Sequence, residues 1–570
     1  MSARKSSTRG VISLPFMSLG SRLRSQLSVS SRGLTRMLRC IPTRAQVKHL
    51  FGCFGATAAV VVATCLGTPA DAAAKPPKQP NIILIQTDDQ TLRQFTDEVM
   101  PKTQRLLVDQ GTQFTNYFAS SGQCCPSRAS LLTGQYPHSH GITSNNVGYP
   151  GLFHKRSVLP VWLHTAGYRT MHVGAKYLNG YGPYAHPSWR AAPGWDRWFT
   201  VKEPTHYYGY EIAANDHRAY RGRGPNDYIG RVLAAKSEDM IETYGPRRPY
   251  YLQLDLRAPH KAEQDDPYGS CDHQAIPDPR DEGRFDDVAL PNPPSFNEPD
   301  MTDKPPFLAS APIFTSTNTR RLLAKWRCAL ASLSQVDRTV DKLVTAVKRT
   351  GERERTVFIY VSDNGLFYGE HRIPSGKVFP YEEALNLPFV MRVPPRYRGD
   401  ASRVAQVGKP VSNIDIAPTI LDLAGGRPCR PGHGCRTMDG RSLMPLLSGS
   451  GDFPADRGLL TQYREPNYQR YSTCEFAGIR LRDEVYIEHY RVAKQANGKV
   501  KCDEVTPPYV ELYNLSSDPF QLDNQCRGGL RANCRQDELQ AELDRRLAQL
   551  RRCHGVEGRD RKTPHHPFCE

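Results

Sequence analysis

Long hydrophobic runs are missing from this chain of 570 residues. No stretch reaches the ~18 consecutive apolar residues that a membrane-spanning helix needs, so an integral membrane protein is excluded. Charged residues are only 23% and hydrophobic residues 39%, a globular composition that suits two or three domains. Internal repeats, coiled-coil heptads and nucleic-acid-binding motifs are also absent, so the net charge of +17 does not by itself indicate a nucleic-acid partner.

Acidic residues are almost absent from residues 1–72. This segment holds ten Lys or Arg and one acid, Asp71, so it carries +9 of the +17. An uncharged run, Ala56–Leu66, follows the basic part and precedes small residues that end in Ala72. A basic flank, a short apolar run and small residues at −3 and −1 predict a secretory signal that is cleaved near Ala72.

An organellar transit peptide is the rival interpretation of this leader. Residues 1–50 are rich in Arg and Ser and contain no acid, as such peptides do. Transit peptides do not need small residues at the cleavage site, whereas a start at Met37 would give a secretory signal of conventional length. We therefore expect a secreted or periplasmic protein.

Cysteines with zinc-module spacing are missing. No C-x-x-C occurs together with a second such pair, so a zinc module is not predicted. Three of the 15 cysteines belong to the leader, which leaves twelve. Two pairs are close in sequence, Cys429 with Cys435 and Cys526 with Cys534. So many cysteines in loop-like surroundings predict structural disulfides in an oxidising compartment, in agreement with export.

Four apolar segments each run into a polar or charged residue. They start at Asn81, Tyr168, Tyr250 and Thr356, and they end at Asp88-Asp89, Lys176, His260 and Asp363-Asn364. Helical patterns lie between them, at about 101–110, 228–243 and 318–349. This alternation predicts an α/β domain with a parallel sheet that is covered on both faces. In such sheets ligands bind at the carboxyl ends of the strands.

Two further segments differ from the α/β region in composition and hydrophobic pattern. Residues 262–310 are rich in Pro, Asp and Gly and predict a long insertion or surface loop. Beyond about 440, strand-like runs from Val485 and Tyr509 precede a polar helix at about 536–552, which predicts a smaller antiparallel sheet with a terminal helix. We therefore divide the chain into a leader (1–72), a catalytic domain (78–435) and a C-terminal subdomain (436–570).

The stretch Cys124–Gly134 is the most informative one in the chain. Pro126 suits the first turn of a helix, which would place Cys124 at or just before the N-cap. There, free backbone N–H groups and the helix dipole stabilise an anion, and Arg128 adds a positive charge one turn on. Without this context, Cys124 and Cys125 would be read as ordinary buried or disulfide cysteines.

The pattern C-x-P-S-R-x-x-x-L-T-G over Cys124–Gly134 resembles the signature of the type I sulfatases, in which the first Cys is oxidised to formylglycine. The resemblance extends over most of residues 80–525. The CCPSRAS and KYLN motifs are most similar to those of the N-acetylglucosamine-6-sulfatases and the extracellular glucosamine endosulfatases. It implies an alkaline-phosphatase-like α/β fold, a mostly parallel sheet sandwiched by helices, with a smaller C-terminal antiparallel-sheet subdomain.

Two pairs of oxygen-bearing residues predict a metal site. Asp88 with Asp89 and Asp363 with Asn364 each follow a predicted strand, so we expect the pairs to meet in space. Three carboxylates and an amide oxygen suit Ca²⁺ or Mg²⁺ rather than zinc. The resemblance assigns these four residues to one calcium ion, with the formylglycine derived from Cys124 close to it. The alternative is that they are turn residues that end strands.

The resemblance also implies the catalytic side chains. Lys176 and Lys377 match the two lysines of the family that hold sulfate oxygens, and His260 matches the histidine near the leaving oxygen. Arg128 is expected to hold the modified Cys124 side chain. These positive charges would oppose the negative charge that develops on the sulfuryl group.

One departure from the family concerns the general base. Many arylsulfatases have Lys-x-His where this chain has Lys176-Tyr-Leu-Asn179, so the histidine expected to deprotonate the formylglycine hydrate is missing. His138, His140 and His172 are the candidates to replace it, although His172 is equally well explained as a strand histidine.

The sequence therefore predicts a sulfuric ester hydrolase that acts on a sulfated sugar such as glucosamine-6-sulfate. Its partners would be that substrate and, during maturation, a formylglycine-generating enzyme. A phosphodiesterase or phosphonate monoester hydrolase of the same superfamily is the alternative, and a non-catalytic polyanion-binding protein is a remote one.

Overall fold

The structure is a computed structural model that describes residues 79–181, 190–202, 205–215, 217–269, 271–399, 402–464, 473–496 and 499–570. The predicted signal and its cleavage site near Ala72 lie outside these residues. In the part of the chain that the structure describes, no helix is long and apolar enough to cross a membrane.

A ten-stranded sheet forms the centre of the fold. Its five middle strands are parallel to one another, and most of the outer strands join antiparallel. In spatial order the strands are Gln406–Val407, Thr112–Phe114, Phe389–Arg392, Thr356–Ser362, Asn81–Asp88, Tyr250–Pro259, Arg169–Gly174, Arg197–Val201, Tyr210–Ala214 and His217–Arg221. The predicted α/β fold with a mostly parallel sheet is confirmed.

Both faces of this sheet are buried. Within Asn81–Asp88, Ile83 and Ile85 face one hydrophobic core and Ile82 and Leu84 face the other. Burial of both faces favours apolar side chains at successive positions, which explains the run at residues 82–85; the polar Gln86 and Thr87 come just before the strand ends. The helices Ile229–Tyr244 and Ser316–Arg349 cover one face, and Cys124–Thr133, Leu159–Thr165 and Ile416–Ala424 cover the other.

The helix Ser316–Arg349 shows how local signals set an element. Thr315 caps it, because its hydroxyl accepts a hydrogen bond from the Asn318 backbone at 3.3 Å. Buried apolar residues then recur every three or four positions. Lys348 and Arg349 complement the negative end of the helix dipole in the last turn. The prediction of 318–349 is therefore close to the observed bounds.

Shorter elements connect the larger ones. The predicted helix at 101–110 is a short α-helical turn, Pro101–Thr103, that continues as a π-helical turn, Gln104–Val108. The other short helices are Pro137–His140, Pro306–Ala309, Glu382–Leu385 and Met444–Ser448. Two small sheets pair Tyr117–Phe118 with Val411–Ser412 and Cys429–Arg430 with His433–Cys435.

The insertion at 262–310 is anchored rather than free. Its Ile276 and Phe285 belong to a hydrophobic core. The buried carboxylate of Asp278 accepts a hydrogen bond from Arg231 Nε at 2.6 Å, which joins the loop to a helix on the sheet. The prediction of a surface loop is thus correct in secondary structure, but the segment contributes to the core.

A second, antiparallel sheet follows the central one in sequence. Its strands are Leu459–Arg464, Thr473–Arg480, Glu484–Ala496 and Lys499–Asn514. The helix Asp537–Leu550 packs on it through Leu543 and Leu547, which share a core with the second and third strands. The predicted smaller C-terminal antiparallel sheet with a terminal helix is confirmed, while the domain boundaries stay predictions.

Ten cysteines of the described chain form five disulfides. They are Cys271–Cys328, Cys429–Cys435, Cys474–Cys502, Cys526–Cys534 and Cys553–Cys569. The two close pairs noted in the sequence are both bonded, and only Cys124 and Cys125 are free among the described cysteines. Five disulfides indicate a protein that folds in an oxidising compartment.

Truncation of a side chain in the central strand tests the two-sided core. Leu84 is fully buried, so Leu84→Ala should lower the free energy of unfolding by about 2–5 kcal/mol, because it removes apolar contact and leaves a cavity. Leu530, which is 47% exposed, is the matched control, and Leu530→Ala should change stability by less than about 0.5 kcal/mol. Urea denaturation of both variants measures this. Equal midpoints for Leu84→Ala and the wild type would contradict the assignment.

Candidate active site

Two pairs of polar residues, Asp88 with Asp89 and Asp363 with Asn364, lie together where adjacent parallel strands end. Asp88 ends one strand and Asp363 follows the next, and both are fully buried. The Asn364 side-chain amide donates to Asp89 Oδ1 at 2.7 Å, and the Asp89 backbone N–H donates to Asp363 Oδ1 at 3.2 Å. Asp89 has a left-handed backbone (φ 70°), a strained conformation of the kind that is held at functional sites. The structure thus brings together the four residues predicted to bind metal.

Cys124 lies at the start of a helix beside this cluster. Gln123 is the N-cap and Cys124 the first helical residue, so the prediction that Cys124 is at or before the N-cap is wrong by one position. Pro126 then occupies the third helical position, which a proline tolerates because the first four backbone N–H groups have no acceptor within the helix. The predicted helix start at the Cys-Cys-Pro stretch is otherwise as expected.

The Cys124 thiol is 1% exposed and lies between opposite charges. Lys377 Nζ donates to its sulfur at 2.8 Å, and Asp88 Oδ1 is 3.4 Å from the same atom. Burial and the charge of Asp88 raise the pKa of the thiol to about 11, despite the two nearby lysines. The thiol is therefore protonated at neutral pH, so it is a poor nucleophile in its unmodified form.

Arg128 joins three carboxylates from three strands. Its Nε donates to Asp363 Oδ2 at 2.7 Å, and its terminal nitrogens lie 3.5 Å from Asp88 and 3.4 Å from Asp255. Burial acts to lower the pKa of this guanidinium, but the carboxylates raise it above its usual value. Among the described residues, Arg128 forms its hydrogen bond and ion pairs with carboxylates and not with the Cys124 side chain, which the sequence had led us to expect it to hold.

Two lysines lie beside the carboxylates of Asp88 and Asp89. Lys176 Nζ is 3.6 Å from Asp88 Oδ2, and Lys377 Nζ contacts Asp89 Oδ1. Burial alone would raise the pKa of Asp88, but Lys176, His260 and Arg128 lower it well below its usual range. Asp88 is therefore ionised, and the two lysines bring positive charge to the position of Cys124.

His260 is held by a residue that the sequence analysis missed. It follows the strand Tyr250–Pro259, and its Nε2 is 3.6 Å from Asp89 Oδ2. Arg257, which is 2% exposed, places Nη2 at 2.6 Å from His260 Nδ1 and 2.5 Å from the Lys261 carbonyl. Burial and the Arg257 charge lower the pKa of His260 to about 3. The Lys261 carbonyl is also 2.7 Å from Nδ1, but Arg257 Nη2 has two hydrogens and can donate one to that carbonyl and one to Nδ1. Because the Asp89 carboxylate faces Nε2, we assign the proton of the neutral ring to Nε2.

The three histidines considered as the missing base are engaged elsewhere. His172 is a buried strand residue whose Nε2 lies 2.8 Å from Asp255 Oδ2 and whose Nδ1 lies 2.6 Å from Thr200. The ring nitrogens of the other two are also hydrogen-bonded: His140 with Ser130 and Ile142, and His138 with Cys553 and Gln462. In the described chain none of the three contacts Cys124, whereas the Asp88 carboxylate does.

The donor atoms of the cluster fit a hard cation. Asp88 Oδ2 and Asn364 Oδ1 are buried, and neither has a hydrogen-bond partner among the described residues. Buried oxygens without donors are rare in proteins, and a divalent cation satisfies them. Ligand atoms of Asp88, Asp89, Cys124 and His260 lie within 4.8 Å of one another. The oxygen ligands of Asp88, Asp89, Asp363 and Asn364 have the composition expected for Ca²⁺ or Mg²⁺, and Cys124 and His260 lie beside Asp88 and Asp89.

A cavity of about 330 Å³ opens onto this cluster. Lys176, Arg257 and His260 line it together with Tyr177 and Asn179. Its volume is at the lower end of the range of small-molecule sites, about 300–1,000 Å³. The cavity connects the side of the site that holds Lys176 and His260 to solvent.

Comparison with known families identifies the class. Residues 80–426 match the family model described as Sulfatase, and residues 369–553 match the one described as N-sulphoglucosamine sulphohydrolase, C-terminal. The chain belongs to the sulfatase family and is a sulfuric ester hydrolase. The predicted family and enzyme class are confirmed.

Relatives refine this picture. The chain is 29% identical over 541 residues to human N-acetylglucosamine-6-sulfatase, which covers 90% of this chain and 91% of the relative. It is similar to a solved protein in complex with its substrate D-glucosamine-2-N,6-O-disulfate (TM-score 0.61, 22% identity, 83% of this chain and 97% of that one). It is also similar to a phosphonate monoester hydrolase of Agrobacterium radiobacter (TM-score 0.60, 17% identity, 83% and 95%). At these identities the two structures show the fold alone.

The Arg257 contact predicts the tautomer of His260. ¹⁵N-edited NMR of ring-labelled protein should show neutral His260 with its proton on Nε2, because Arg257 donates to Nδ1 and the Asp89 carboxylate faces Nε2. Arg257→Gln should weaken this preference and raise the pKa of His260, since a positive charge is removed. Arg257→Lys, which keeps the charge, is the control and should leave the pKa low. A wild-type ring protonated on Nδ1 would contradict the assignment.

Proposed function

We propose that this sulfatase hydrolyses the sulfate ester of a sugar of the glucosamine-6-sulfate type, with formylglycine at position 124 and one calcium ion. The observation that carries the proposal is the position of Cys124. It starts a buried helix, Lys377 donates to its sulfur, and Asp88 lies on its other side. Positive charge around the nucleophile position suits attack on an anionic ester.

The protonation state of Cys124 supports the modification. A thiol whose pKa is raised to about 11 is not a competent nucleophile at neutral pH. A hydrated formylglycine supplies two hydroxyl groups, one for attack on sulfur and one to release the sulfate. A single hydroxyl or thiol would lack that release route. The modification requires a formylglycine-generating enzyme as a partner during maturation.

The other side chains have complementary roles in this proposal. Lys176 and Lys377 bind sulfate oxygens and oppose the charge that develops on them. His260, with its proton on Nε2, donates a hydrogen bond to the leaving oxygen. Arg128 holds Asp363, Asp88 and Asp255 in place. The carboxylate of Asp88, at 3.4 Å, is the group best placed to accept a proton from position 124.

Calcium would be held by Asp88, Asp89, Asp363 and Asn364. Two of their oxygens are buried without a hydrogen-bond donor, which supports a cation at this position. The ion would supply a fixed positive charge that polarises the sulfate group. Asp363 has a pKa raised to about 6 by burial and by the charge of Asp88, and a cation beside both carboxylates would favour their ionised forms.

The substrate class is supported by two comparisons. The human relative is an N-acetylglucosamine-6-sulfatase, and a protein of the same fold has been solved with a glucosamine disulfate. The cavity beside Lys176 and His260 is small enough to suit a single sugar residue rather than a bulky ligand. Export as a secreted or periplasmic protein agrees with the five disulfides.

A phosphonate or phosphate ester hydrolase is the competing function, because a phosphonate monoester hydrolase shares the fold. Comparison of kcat/KM for glucosamine-6-sulfate, glucosamine-6-phosphate and a phosphonate monoester separates the two. The proposal requires the sulfate ester to be the best substrate by tenfold or more. A preferred phosphonate or phosphate ester would replace the proposal with the competing function.

Mass spectrometry and paired cysteine variants test position 124. Conversion of the thiol to an aldehyde should make the peptide with residues 124–128 lighter by about 18 Da. Cys124→Ala should abolish sulfate-ester hydrolysis, and Cys124→Ser should turn over at most once, because it has no second hydroxyl. Cys125→Ala is the matched control and should keep much of the activity. An unmodified thiol in fully active enzyme, or an active Cys124→Ala, would overturn the mechanism.

Elemental analysis tests the metal assignment without relying on activity. We expect about one calcium per wild-type chain, and at least tenfold less in Asp88→Ala and Asp363→Ala, because each loses a carboxylate ligand. Both variants should also lose turnover while the central sheet, followed by circular dichroism, stays folded. Asp456, whose side chain is 76% exposed, provides the control Asp456→Ala, which should retain its calcium. Zinc in place of calcium would show that the assignment is wrong.

A further inference from the structure

A second, larger cavity of about 720 Å³ is lined by basic residues. Three arginines, one lysine and three histidines contribute to its wall, and no carboxylate does: Arg156, Arg430, Arg436, Lys155, His154, His433 and His554. We call this cavity the basic cleft. A wall with four cationic side chains and three histidines, and with no acid lining it, is unusual for a protein surface that mixes both signs of charge.

The basic cleft is separate from the proposed active site. Gln135, in its wall, follows the glycine that ends the helix Cys124–Thr133. This helix of ten residues is about 15 Å long, and Cys124 is at its other end. None of the residues that line the active-site cavity lines the basic cleft.

Arg436 is the buried member of the basic cleft, at 8% exposure. Its Nε donates to Gln135 Oε1 at 2.6 Å, and its Nη1 donates to the Ser157 carbonyl at 2.7 Å. Its Nη2 is buried and has no hydrogen-bond partner among the described residues. Burial lowers the pKa of this guanidinium to about 10, and the charge of Asp439 offsets that only in part. An anion beside Arg436 would therefore gain both charge and a free donor.

The other arginines of the basic cleft also lack carboxylate partners. Within the described ranges, neither Arg156 nor Arg430 is in an ion pair, and Lys155 Nζ donates to the carbonyls of Pro150 and Leu152. Arg430 is in a two-stranded hairpin, Cys429–Arg430 with His433–Cys435, which the disulfide Cys429–Cys435 closes. Arg430 is thus presented on a covalently closed turn rather than on a free loop.

We propose that the basic cleft is a second binding site, for a compact ligand that carries several sulfate or phosphate ester groups. Guanidinium groups match the oxygen geometry of both esters, and several cations around one cavity require a ligand with several anionic groups. The volume of about 720 Å³ is that of a small-molecule site. This site does not depend on the proposed reaction at position 124.

Isothermal titration calorimetry on the intact protein tests the proposal with two probes, sucrose octasulfate and inositol hexakisphosphate. The cleft variant is Arg156→Ala combined with Arg430→Ala, two side chains on the rim of the cavity. The matched control is Arg320→Ala combined with Arg321→Ala, which removes the same charge from two exposed helical positions. Lys176→Ala reports on binding at the active site instead.

We expect the cleft variant to raise the Kd of at least one probe tenfold or more, whereas the control variant and Lys176→Ala should change that Kd less than twofold. Binding of only one probe shows whether the site prefers sulfate or phosphate esters. Binding of both shows that it recognises the anionic oxygens that the two esters share. The proposal is overturned if neither probe binds, if the cleft and control variants lose binding equally, or if Lys176→Ala loses it. Arg156→Glu alone replaces the double variant if that protein is unfolded.

Discussion

Charge compensation in a buried cluster is the constraint on which this site depends. Four carboxylates and four cations lie together at one edge of the central sheet: Asp88, Asp89, Asp255 and Asp363 with Arg128, Arg257, Lys176 and Lys377. Each of these charges is costly to bury alone, and loss of one partner from a buried pair destabilises a protein by about 3–5 kcal/mol. Arg128 has three carboxylate neighbours and therefore ties the ends of three strands to the helix Cys124–Thr133.

The parallel sheet makes this cluster possible. The strand Asn81–Asp88 pairs with Thr356–Ser362 on one side and with Tyr250–Pro259 on the other, all in the same direction. Their carboxyl ends therefore meet at one edge, and residues far apart in sequence become neighbours. In the strand Asn81–Asp88, residues 82–85 are apolar and fill the two cores, so its charged residue lies at that edge. The parallel order of the strands therefore determines which charges of the site lie next to one another.

The sequence predicted the central strands and the polar residues that follow them, because each apolar run stops where the chain leaves the covered sheet. It did not predict Asp255 and Arg257, since they lie inside the strand Tyr250–Pro259 and were read as part of an apolar run. A signal was available: the two charges are two positions apart, so they share one face near the carboxyl end of the strand. The antiparallel strand His217–Arg221 was also missed, because all five of its residues are exposed and give no hydrophobic pattern.

The two basic sites of the molecule differ in how their charge is balanced. At the proposed active site the cations face carboxylates, so an incoming anionic ester must compete with Asp88 and Asp89 for Lys176 and Lys377. A divalent cation between the carboxylates would release the lysines for the substrate, which links metal binding to substrate affinity. In the basic cleft neither Arg156 nor Arg430 is in an ion pair among the described residues, and Arg436 has only the nearby charge of Asp439, so an anion there should bind without a metal. If the proposed function is correct, chelation should therefore weaken substrate binding at the proposed active site and leave the basic cleft unaffected.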